Sequence, residues 1–176
     1  MNIRYLLSGL LILVFVINGC KDNSSGSGGP KVEITRENVT LNSSGMAPLT
    51  ALIEITTAEE VSLSLRVQGI NGPGSDLIQE FKELSTRHEI PVLGLYPDYE
   101  NTVEFSFRGS NGTNLGSKTY TLQTGNLLAD LPEVEINTAN RSQMIEGMNF
   151  VSYFGHRMNG NPTPQRPFIF DAWGNI

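Results

Sequence analysis

The chain has 176 residues, enough for one domain with a genuine core, and it is 39% hydrophobic but only 17% charged. A formal net charge of −6, with no clustering of Lys or Arg, excludes nucleic acid as a partner, because phosphate contacts need a basic face. A single cysteine excludes an intrachain disulfide, and 18 Gly with 9 Pro favour turns over long helices.

Met1 to Tyr5 is a short opening segment whose one positive charge is Arg4. Leu6 to Ile17 is nearly unbroken apolar sequence, closed by Asn18-Gly19. That is the three-part layout of a secretory signal, and the apolar run is short for a permanent span of about 30 Å of hydrocarbon. Ile17-Asn18-Gly19-Cys20 resembles the lipobox of bacterial lipoproteins, with Asn18 as a less usual middle residue. The resemblance implies that residues 1–19 are a leader cleaved before Cys20 and that the Cys20 sulfur carries a diacylglyceryl thioether. The new amine is then usually acylated. At about 0.8 kcal/mol per buried methylene, two or three chains anchor stably. The alternative is an ordinary signal peptide with an incidental cysteine. Residues 20–30, with a Ser/Gly run from Ser24 to Pro30, read as a flexible tether. The expected location is the cell envelope, lipid-anchored through Cys20. Lys21 stands where an inner-membrane retention signal more often has Asp, which favours the outer membrane, on its periplasmic or surface face.

From Lys31 to about residue 128 the apolar pattern has period two. Val32 and Ile34 share one face of a first strand. Leu49, Ala51, Ile53 and Ile55 alternate with polar or neutral neighbours, as do Val61, Leu63, Leu65 and Val67. Leu77 to Leu84 is less regular at Ile78 and Phe81, and His88 to Leu93 contains Pro91, the mark of an edge. Val103, Phe105 and Phe107 alternate again, followed by Tyr120 and Leu122. Strict alternation predicts strands with one buried and one wet face. Turn signals at Asn71-Gly72-Pro73-Gly74, Pro97-Asp98-Tyr99 and Asn111-Gly112 separate the runs. Seven short strands at roughly ten-residue spacing predict an all-β immunoglobulin- or fibronectin-like sandwich over 31–128. A mixed sheet with a small helix around Asp76 to Leu84 is the structural alternative. After Leu95 the chain turns at Tyr96-Pro97-Asp98, Tyr99 is expected to lay its ring over the core edge, and Asn101-Thr102 opens the next strand.

The segment Val92-Leu93-Gly94-Leu95-Tyr96-Pro97, followed by Asn101-Thr102-Val103, resembles the N-terminal domain of bacterial aryl-sulfate sulfotransferases. Pro48-Leu49-Thr50-Ala51 resembles an early segment of the same family, in order and at plausible spacing. The family transfers a sulfuryl group from a phenolic sulfate ester to a phenol through a histidine intermediate carried by a β-propeller. No cofactor is implied, and no catalytic, cofactor-binding or metal-binding residue carries over, because the propeller does not map onto this sequence. Cys20 is the sole site residue, for lipidation. The expected partners are the membrane and either a second copy or the propeller of a longer enzyme.

Residues 129–176 read as a linker and an incomplete first blade. Leu131 to Ile136, Asn149 to Phe154 and Pro167 to Phe170 look like strands, and Asp171-Ala172-Trp173-Gly174 like a hairpin turn. Pro167 to Ile176 resembles the Pro-x-x-x-Asp-x-x-Gly-x-Ile segment that opens the family's first blade, which implies that the chain is the front part of a longer enzyme. The alternative is a stand-alone membrane-anchored sandwich that binds a protein or glycan partner, with its tail packed back on itself.

Two histidines are present. His88 reads as a surface or strand-edge residue. His156, in Gly155-His156-Arg157, could place a cation pair beside an anion, but two distant histidines make no zinc site without carboxylates at ligand spacing. Asp98 and Asp171 sit in turns, where Asp serves local hydrogen bonds. Gly26-Ser27-Gly28-Gly29 and Gly72-Pro73-Gly74 lack the following Lys-Ser/Thr of a phosphate loop.

Overall fold

The computed structural model describes residues 31–176 except 73, 128–130, 132–133, 141–142, 144–146, 154–156, 159–160 and 163–165. Cys20, its leader and tether, and His156 therefore lie outside the described residues.

Five strands build the main body: β1 (Ile34–Leu41), β2 (Ala51–Val67), β3 (Leu77–Val92), β4 (Glu100–Gly109) and β5 (Asn114–Gln123). They form one antiparallel sheet system in the order β1-β2-β4-β5, with β3 on the other side of β2. The first half of β2 lies between β1 and the second half of β3. Its second half lies between β4 and the first half of β3. Long strands that change partners halfway are how a single sheet system folds over into the two layers of a sandwich.

The seven alternating runs are all strands, yet four of them join into two: β2 and β3 run straight through positions where separate strands were expected. The reason lies in what stands at the corners. Ala58-Glu59-Glu60 contains no Gly, Pro or Asn to reverse the chain, so β2 bends and goes on. Thr57 is buried at this corner and its hydroxyl donates to the Glu59 carbonyl at 2.7 Å, while the Ala58 amide reaches Glu33 at 3.0 Å. Across the corner the β2–β3 register slips, from Ile55 opposite His88 to Leu63 opposite Phe81. A slip of one residue would turn an apolar set to solvent if only one strand were rephased. Here the irregularity sits in β3, whose inward positions change from Leu77 and Phe81 to His88, Ile90 and Val92, while β2 keeps Ile53, Ile55, Val61, Leu63 and Leu65 inward throughout. The helix considered for Asp76 to Leu84 is not adopted, because pairing with β2 claims this segment's backbone.

The core is a single cluster of buried aliphatics from β2, β3, β4 and β5 around Phe105 and Phe107, both fully buried. Burying each such side chain contributes about 1.5–3 kcal/mol relative to leaving it in water. The layers are tied where β1 meets β5: Val32 donates its amide to Leu115 at 2.8 Å, and Glu37 accepts from Lys118 at 3.1 Å and Tyr120 at 2.8 Å. That pairing holds the Glu37 carboxyl below its ordinary range, Tyr120 first and Lys118 next. Among the described residues β3 pairs only with β2 and so forms an edge, where Lys82, Arg87 and Pro91 discourage further strand addition.

Beyond the sandwich, β6 (Asn149–Tyr153) pairs with β9 (Arg166–Phe170), and β7 (Arg157–Met158) pairs with β8 (Asn161–Pro162) inside that hairpin. The strand expected at Leu131 to Ile136 is absent at Val134 to Ile136, which runs as irregular chain.

Candidate functional site

The most concentrated polar chemistry among the described residues lies at one end of the sandwich, where β3 leaves the core. Tyr96-Pro97-Asp98 must reverse the chain within a few residues, and Asp98 does so with a φ of 48°. The reversal leaves backbone groups that no strand pairs, and Asn101 satisfies them from beneath. Asn101 is fully buried. Its Oδ1 accepts the Tyr96 amide at 2.8 Å, and its Nδ2 donates to the carbonyls of Tyr96 at 3.1 Å and Tyr99 at 3.0 Å. Thr124, just past the end of β5, adds its hydroxyl to the same two carbonyls. A buried amide can serve three backbone groups at once because it carries both donors and an acceptor.

Tyr96, not Tyr99, is the tyrosine that packs inward: Tyr96 is 4% exposed and Tyr99 is 45% exposed. The rings meet edge to face at 6.2 Å, so Tyr99 covers Tyr96 rather than the core itself. The Tyr96 hydroxyl donates to Asp171 Oδ2 at 3.1 Å. Burial, and then the negative charge of Asp171 and its hydrogen bond, push the Tyr96 phenol up to about 12. Tyr96 is thus a fixed donor at neutral pH and no acid or base.

Asp171 is 2% exposed. It caps its own turn as expected, accepting the amides of Trp173 at 2.8 Å and Asn175 at 3.0 Å on Oδ1 and the Asn175 side chain at 2.8 Å on Oδ2. Its second role is invisible in the local sequence: the bonds to Tyr96 and, at 3.4 Å, to the Asn71 carboxamide, 100 residues away. Beside this turn is an open cleft of about 350 Å³ between Val134–Ala139, Asn149 and Phe170–Ala172.

A second charged group stands nearby on the outer face. Arg66 binds Asp76 at 2.7 Å and Glu104 at 3.4 Å, and Asp76 accepts the Gly69 amide at 2.9 Å. Burial pushes the Asp76 carboxyl up, but the Gly69 amide and Arg66 together outweigh it and hold it below its usual range. Arg66 is engaged and not available to an anion.

His88 lies on the edge strand as read, but its side chain is buried, with Nε2 2.9 Å from the Ser85 carbonyl. Burial lowers its pKa, the Ser85 contact opposing. It supports the irregular stretch of β3. Asp98 is an exposed turn residue. Among the described residues no three His, Cys, Asp or Glu side chains converge as metal ligands would. What the site does is hold chain segments together: every buried side-chain nitrogen and oxygen among the described residues has a partner.

No curated protein matches this chain. The sequence model of the arylsulfotransferase Ig-like domain matches residues 38–125, from the middle of β1 to just past β5. The match includes Tyr96, Asn101 and Thr124, and it stops short of Asp171. With half of its length inside that match, the chain belongs to the arylsulfotransferase Ig-like domain family.

Proposed function

We propose that this chain is the accessory sandwich of an arylsulfotransferase-like lipoprotein, held at the outer membrane by lipid on Cys20, with the sulfuryl transfer carried by a propeller partner. The family match carries the reading. The chemistry of the sandwich supports it. Sulfuryl transfer needs an accessible nucleophile, a base beside it and free cations for the sulfate oxygens. Here His88 is buried against a carbonyl, and Arg66, Arg87 and Lys118 are each bound to a carboxylate. The polar groups of the sandwich end are engaged with backbone. A stand-alone anchored sandwich that binds a protein or glycan is the second reading, and the Asp171 turn seated on the sandwich favours it.

The anchor is tested by expressing the chain in a bacterium with an intact lipoprotein pathway and feeding labelled palmitate. The wild type takes up label and fractionates with the envelope, and Cys20→Ser does neither. A wild type without label, or a labelled Cys20→Ser, contradicts the anchor.

A further inference from the structure

Asp171 serves both its own turn and the sandwich. Oδ1 organises the Asp171–Asn175 turn from within, through the amides of Trp173 and Asn175. Oδ2 accepts the Asn175 side chain within the turn and also reaches outward to the Tyr96 hydroxyl and the Asn71 carboxamide, which belong to the sandwich. The carboxylate is almost wholly removed from water, so donors on the sandwich replace its hydration there. A second, apolar contact lies close by in the fold. The Met148 methyl sits against Gly94, so close that a Cβ at that glycine would stand 2.8 Å from it. Met148 directly precedes β6, and Asp171 directly follows β9, so both ends of the hairpin touch the sandwich.

We propose that the Tyr96–Asn71 end of the sandwich is a docking surface for a carboxylate-centred turn, filled in this chain by its own Asp171, which fixes the β6–β9 hairpin to the sandwich as one body. The recognition is chemical: a buried phenol and a carboxamide present two donors to one carboxylate oxygen, and Gly94 leaves room for a side chain from the other end of the hairpin. This proposal does not depend on where sulfuryl transfer takes place, and it stands or falls separately from the accessory role.

The full chain supplies its own reporter, because Trp173, its single tryptophan, lies inside the turn. Tyr96→Phe and Asn71→Ala remove the outward donors and leave every bond within the turn intact. In each, hydrogen exchange of the β6 and β9 amides is expected to speed up about tenfold or more, the scale of a lost bond to a charged group. Trp173 emission shifts to the red, and the amides of β2 and β4 keep their rates. In an Asp171→Asn background, Tyr96→Phe adds less than twofold. Met148→Ala, which removes the apolar contact at Gly94 and leaves the sandwich backbone untouched, also speeds exchange in β6. If Tyr96→Phe and Asn71→Ala leave hairpin exchange within twofold of wild type, the proposal is overturned, whatever Asp171→Asn does, since the turn would then be held by its own amides alone.

Discussion

Replacing Asn101 with alanine removes the side chain that accepts the Tyr96 amide and, with Thr124, holds the Tyr96 reversal from below. The magnitude follows from what each partner loses. The Tyr96 amide, bonded to Oδ1 at 2.8 Å, is left buried without an acceptor, a loss of about 1–3 kcal/mol. The carbonyls of Tyr96 and Tyr99 keep the Thr124 hydroxyl, so each loses only part of its bonding, about 0.5–1 kcal/mol apiece. The expected total is about 3 kcal/mol, a large share of the roughly 5–15 kcal/mol that stabilises an ordinary domain. Urea unfolding followed by far-ultraviolet circular dichroism reads this as a lower midpoint at an unchanged slope. For a domain of this size the thermal midpoint falls by about 12–24 °C. Asn101→Asp is the sharper variant. It keeps an acceptor for the Tyr96 amide but turns a charge toward the carbonyls of Tyr96 and Tyr99, so it is less stable than Asn101→Ala at neutral pH and recovers partly in acid. A loss below about 1 kcal/mol for Asn101→Ala, or Asn101→Asp outlasting it at neutral pH, refutes the assignment of Asn101 as the organising residue.

Gly69→Ala places a Cβ 2.1 Å from the Ser75 hydroxyl and 2.3 Å from the Ser75 carbonyl oxygen. Because one of these is backbone, the β2–β3 loop must shift, and the thermal midpoint drops by an amount equivalent to about 1–3 kcal/mol. His88 gives a pH signature. Its folded pKa is lowered from 6.5, so its contribution is fully present above that value and is lost as pH falls through the folded pKa. Urea midpoints measured between pH 8 and pH 4 show an acid-labile component that His88→Leu lacks.

The period-two runs made the sandwich legible because one buried face per strand forces alternation, whichever partner the strand takes. Partner choice was not legible. Ala58-Glu59-Glu60 carries no turn signal, so the chain is free to go on there, but which strands receive each half of β2 is decided by where β1, β3 and β4 lie. The corner tyrosines were confused for a similar reason. Tyr96 and Tyr99 flank the same Pro97-Asp98 turn, and only the left-handed Asp98 and the buried Asn101 decide which ring goes in. Asp171 could be read as a turn former from its immediate neighbours. Its bond to Tyr96 spans 75 residues, and no local pattern encodes a contact of that range. The lipidation expected at Cys20 was the reverse case, a purely local pattern that stands outside the described residues.

The most direct test of the account is turnover: the purified chain without its leader, given a chromogenic aryl sulfate and a phenol acceptor. No release of the chromophore above a protein-free control is the predicted result, because His88 is buried against a carbonyl and the buried polar side chains described are committed to the fold. Sustained turnover that tracks the folded chain through purification would contradict it and place the sulfuryl chemistry in these residues, with His88 and His156 the first to be replaced.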